Sequence, residues 1–104
     1  MKPTGESTVD PRVIRELWEI ICERAAHPDE GSYTSRLLQD KKGIDRVLEK
    51  VCEESTEFII AVKNGVPERT TEEAADLFFH ILVALRAADI DLEEVIRELE
   101  RRRK

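Results

Sequence analysis

An all-α fold is predicted by three observations on this sequence. Apolar residues return at helical spacing through most of its length. Charged residues reach 38% while aromatics stay at 5%. The few glycines and prolines fall at or between the periodic segments, not inside them. No glycine-, proline- or serine-rich stretch is long enough to separate two cores, so residues 10–104 are expected to form one domain behind a polar, disordered tail at residues 1–9. A chain of 104 residues buries only about 60 to 65% of its unfolded surface. The expected architecture is therefore a four-to-five-helix bundle completed by dimerisation.

Asp10-Pro11 supplies an N-cap and a proline at the first helical position, opening a helix to about Ala26 whose apolar residues are Val13, Ile14, Leu17, Trp18, Ile21 and Cys22. His27, Pro28 and Gly31 end it, and Ser32 to Gln39 is expected to be a short helical segment. After Lys41-Lys42-Gly43 a long helix should span Ile44 to Asn64, closed by Gly65 in the C′ position. The next helix opens either at Pro67, as a first helical residue, or at Thr70 with Glu73 as a capping box, and reaches about Ala88. Asp91 with Glu94 reads as a second capping box that starts the last helix. Its basic end, Arg101 to Lys104, complements the negative pole of the helix dipole.

A net charge of -6 lacks the positive field that a polyanion requires, so nucleic acid is an unsuitable partner. The N-terminus has no apolar signal region and no run approaches eighteen apolar residues, which points away from membranes and toward the cytoplasm. Cys22 and Cys52 fall in helices without metal or disulfide spacing and are expected to be reduced core thiols.

On a wheel of about 100° per residue, Ile44, Val47, Leu48, Val51, Ser55, Phe58, Ile59 and Val62 share one face of the long helix, the expected core face. Lys50, Glu53, Glu54, Glu57, Ala61 and Asn64 form a second stripe. In the following helix Glu73, Asp76 and His80 share a stripe, while Leu77 to Leu85 is apolar nearly all round, as in a helix central to a bundle. Glu73 and Asp76 are therefore expected to be sheltered. Carboxylates gathered by two adjacent helices repel, and an all-oxygen set suits a hard divalent cation, Mg²⁺ above others. Each acid also has an ordinary reading: Glu53 and Glu54 as solvated partners of Lys50, Glu73 as a capping acid, Asp76 as a dipole partner. The combined E-E-x-x-E and E-x-x-D pattern is what favours a metal site. His80 is either a satisfied core histidine or a partner of Asp76. No Walker loop, G-x-S-x-G turn, Glu-x-x-His pair or cysteine with a histidine base occurs.

KVCEESTEFIIAVKNG, EEAADLFFHILVAL, a helix ending ELERRR and SYTSRLL at Ser32 to Leu38 together closely resemble the phosphoribosyl-ATP pyrophosphohydrolase family, one of the MazG-like all-α nucleotide pyrophosphatases. The resemblance covers about residues 12 to 104. It implies a MazG-like bundle, a homodimer or larger assembly, and Mg²⁺-dependent hydrolysis of phosphoribosyl-ATP to phosphoribosyl-AMP and pyrophosphate, the second step of histidine biosynthesis. By motif position Glu54, Glu57, Glu73 and Asp76 would bind metal, and Glu53 would be a further ligand or orient the attacking water. Glu53 and Glu54 are thus the catalytic candidates, with Lys50 and Asn64 assigned to substrate phosphates or ribose. Cys52, Ser55 and Phe79 depart from the family's usual glycine, alanine and tyrosine, and no carboxylate is lost. Two other functions fit the same acids: a house-cleaning nucleoside triphosphate pyrophosphatase, against which the SYT segment speaks, and a non-enzymatic acidic helical module that docks a basic partner.

Overall fold

The computed structural model describes residues 9–103 and consists of α1 (Val13–Ala26), α2 (Tyr33–Leu38), α3 (Ile44–Asn64), α4 (Pro67–Ala87) and α5 (Leu92–Arg102). No strand occurs among the described residues, as the all-α reading expects. Residues 1–8 of the expected tail, and Lys104, lie outside the described residues. Val9 is exposed.

α1 opens two residues later than the sequence suggested, at Val13 after Arg12. Asp10 still does the work of a cap, because its Oδ1 accepts the Arg12 backbone N–H at 2.9 Å. Ser32 caps α2 by accepting from the Ser35 N–H, and the buried Ser35 hydroxyl donates to the Arg24 carbonyl, tying α2 to the end of α1. Gly65 has φ +72 and ψ 27, and its N–H reaches the Ala61 and Val62 carbonyls, so the left-handed residue that stops α3 is a glycine. α4 starts at Pro67, which settles its opening and places Glu73 inside the helix, not in a capping box. Asp91 caps α5 through the Glu93 N–H, while the Glu94 carboxylate turns to Arg97 instead of closing the box.

Ile21, Leu37, Val47, Leu82, Val83 and Leu92 form the buried cluster, so every helix contributes to one core. α3 and α4, joined by Gly65 and Val66, make the most extensive helix pair. The expected core face of α3 needs correction. Val47, Glu54 and Ala61 are its buried residues, at intervals of seven, whereas Ile44, Leu48, Ile59 and Val62 are exposed, Ile59 to 60%. The cause is that α4 packs toward the side carrying the acids, which leaves those four uncovered within one chain while Val47 stays buried and Val51, Ser55 and Phe58 half-buried. α4 is likewise only partly enclosed, with Phe78 and Ile81 exposed. Cys22 is half-buried, and Cys52 is exposed, so Cys52 is not a core thiol. No described helix is long and apolar enough to cross a membrane.

Candidate metal centre between α3 and α4

Glu54 faces α4 because it lies seven residues, about two helical turns, from both Val47 and Ala61. It meets Glu73, which faces back from α4, and the two are 7% and 4% exposed. Glu57, one turn beyond Glu54 and exposed, completes a set whose ligand oxygens lie within 4.8 Å of one another. Three of the four acids expected to bind metal therefore converge. Asp76 stands outside that set and is exposed, so it is not sheltered as expected, although its charge reaches Glu73.

Exclusion from water raises the pKa of the Glu73 carboxyl, and the neighbouring Glu57 carboxylate adds to this. Arg69 opposes it: Nη2 lies 2.7 Å from Glu73 Oε2 while Nη1 pairs with Glu72. One oxygen of each buried acid, Oε1 of Glu54 and Oε1 of Glu73, has no hydrogen-bond partner. Unpartnered buried carboxylate oxygens are costly, and a cation between them would satisfy both. An oxygen-only set of this kind fits a hard divalent ion.

Lys50 Nζ lies 3.1 Å from Glu53 and 3.5 Å from Glu54. Partial burial disfavours its charge, but Glu53, Tyr33 and Glu54 outweigh that and raise its pKa. Glu53 is exposed and, with Glu57, lines an open hollow of about 480 Å³. Asn64 is exposed at the far end of the stripe, where it lines a cavity of about 180 Å³ with Glu57, Ala61 and Arg69. The six-residue stripe thus spans the acids on both sides, as the wheel suggested.

His80 is 5% exposed, and both ring nitrogens are engaged. Nδ1 lies 2.7 Å from the Asp76 backbone carbonyl, which can only accept, so Nδ1 carries the proton. In the neutral imidazole Nε2 then accepts, from the Tyr33 hydroxyl 2.8 Å away. His80 is a satisfied core histidine whose partner on Asp76 is the carbonyl, not the carboxylate. Two residues escaped the sequence reading. Arg69 was visible in principle as an i, i+4 partner of Glu73. Tyr33 was not, since its bond to His80 crosses 47 residues.

Residues 14–103 match the family model described as Phosphoribosyl-ATP pyrophosphohydrolase. Among curated proteins, the chain is 81% identical to a phosphoribosyl-ATP pyrophosphatase of Methanoregula boonei over the full length of both. A protein of the same name from Methanosphaerula palustris is 60% identical, over 91% of this chain and 96% of its own. A histidine biosynthesis bifunctional protein of Gloeobacter violaceus is 45% identical over 88% of this chain, which spans 40% of that protein.

Proposed function

The chain belongs to the phosphoribosyl-ATP pyrophosphohydrolase family, and we propose that its α3 and α4 acids hold Mg²⁺ for the family's reaction. It is an enzyme that hydrolyses phosphoribosyl-ATP to phosphoribosyl-AMP and pyrophosphate in histidine biosynthesis. The observation that carries the metal assignment is the pair of buried, unpartnered carboxylate oxygens on Glu54 and Glu73 beside Glu57.

Glu54, Glu57 and Glu73 would hold the cation, and Asp76, one turn along α4 and exposed, would join them from the substrate side. Bound there, Mg²⁺ would neutralise charge growing on the phosphate oxygens and make a neighbouring water more acidic. Glu53, exposed next to the cluster, is suited to receive the proton of the attacking water. Lys50 keeps a positive charge at the cluster's edge and can turn from Glu53 to a substrate phosphate. Asn64 offers a neutral amide to phosphate or ribose at the other end of the stripe.

A homodimer goes with this reading. The uncovered apolar residues Leu48, Ile59 and Val62 of α3 and Phe78 and Ile81 of α4 suit a second copy of the chain. A cytoplasmic place of action accords with a biosynthetic reaction on a nucleotide. Product analysis with phosphoribosyl-ATP, with and without chelator, tests the metal assignment. Pyrophosphate should appear first and chelator should abolish it. Release that is indifferent to chelator contradicts the Mg²⁺ site, and faster turnover of ordinary nucleoside triphosphates would favour the house-cleaning alternative.

A further inference from the structure

We propose that the cavity of about 290 Å³ lined by Tyr33, Arg36, Leu37, Asp40 and Arg46 is the subsite for the substrate's ribose 5-phosphate end, with Arg36 and Arg46 on the phosphate and Asp40 on the ribose hydroxyls. This rests on the reaction stated above and identifies what separates its substrate from ATP, a phosphomonoester on a second ribose.

In a chain of net charge -6, Arg36 and Arg46 both line this one cavity. Among the described residues Arg36 forms no ion pair, and its Nη1 donates only to the Glu30 carbonyl at 3.0 Å. Arg46 shares the Glu49 carboxylate, at 3.3 Å, with Lys42 at 2.9 Å, so one acid faces two cations. Most of the ten guanidinium donors, about five on each side chain, are thus open to a ligand. A planar fork of donors matches phosphate oxygens two at a time. Asp40 would repel a phosphate placed beside it. Its Oδ1 already accepts the Lys42 N–H at 2.9 Å, and a carboxylate suits hydroxyl donors, which orients a ribose phosphate with its phosphate toward the arginines.

The register of α3 links this cavity to the metal centre. Arg46, Lys50 and Glu54 follow at four-residue intervals, which puts Arg46 about 12 Å from Glu54 along the helix, with Lys50 between. A substrate with a triphosphate on one ribose and a monophosphate on another needs two separated anion sites, and α3 offers both. Tyr33 lines the cavity and lies close enough to Lys50 to act on its charge. Its hydroxyl is fixed on His80 and its ring stacks at 6.3 Å on Phe79.

The test titrates ribose 5-phosphate into the full-length protein with chelator present, so that no phosphate is held by metal at the acids. Wild type should show saturable binding that inorganic phosphate displaces. Arg36→Met and Arg46→Met should each weaken it at least about tenfold, and Arg46→Lys should weaken it less. In the assay the Met variants should raise KM for phosphoribosyl-ATP by a similar factor, while the affinity for ATP, which lacks the phosphoribosyl group, should equal that of wild type. The subsite is overturned if wild type binds no ribose 5-phosphate, if the Met variants bind it unchanged, or if ATP affinity falls equally. Should wild type bind ribose 5-phosphate yet leave phosphoribosyl-ATP intact, the stated reaction fails and the cavity's ligand class stands. Circular dichroism of each variant confirms its helix content.

Discussion

Glu73 carries the central conflict of the site, being shut off from water, set beside Glu57 and countered by Arg69 at 2.7 Å. Removing the neighbouring charge should ease that conflict. Glu57→Gln is expected to leave the metal-free protein as stable as wild type or more so, to lose most of the Mg²⁺-induced rise in Tm, and to cut turnover by about 100-fold or more. Thermal melts with and without Mg²⁺ beside the pyrophosphate assay check this; a solvated surface charge would leave both near wild type. Tyr33 acts by different means. Tyr33→Phe leaves His80 Nε2 buried with an empty acceptor, and urea denaturation should report a loss of about 1–2 kcal/mol with the m-value unchanged. The acids were legible in the sequence because spacing decides which residues share a helix face. The Tyr33–His80 bond was not, because periodicity says nothing about which distant side chain meets that face.

α3 shows how a correct helix can be given an inner face that is only partly right, since Val47 is buried as expected but Ile44, Leu48, Ile59 and Val62 are exposed. Its bounds, its glycine stop and its two stripes were all readable from 100° periodicity and turn chemistry. Which stripe turns inward depends on what α4 packs against, and a wheel ranks faces by hydrophobicity alone. Here Glu54 lies in the buried seam between Val47 and Ala61, while Ile59 and Val62 face outward. The opening of α4 at Pro67 has a related consequence, since it puts Glu73 two turns inside the helix opposite Glu54. The turn between the helices fixes that alignment. Gly65→Ala puts a Cβ on a residue with φ +72, although nothing lies within 4 Å to clash with it, so the cost is conformational. We expect a loss of about 1 kcal/mol in chemical denaturation with pyrophosphate release largely retained.

At the scale of the whole molecule, the proposed dimer rests on the exposed apolar residues of α3 and α4 and on a small core cluster of six buried apolar residues. Sedimentation should find a dimer at micromolar concentration, and Ile59→Glu should shift it toward monomer and lower Tm; a stable, folded wild-type monomer contradicts the assembly. The proposed dimer face and the proposed metal site meet in α3, which bears exposed apolar residues as well as Glu54 and Glu57 of the acid cluster. The proposed mechanism stands on the acids. The most direct measurement is pyrophosphate release from phosphoribosyl-ATP by wild type and Glu73→Gln across a Mg²⁺ titration. The rate should rise with Mg²⁺ in wild type and lie about 100-fold or more lower in the variant at every concentration. Turnover by Glu73→Gln near that of wild type would contradict it.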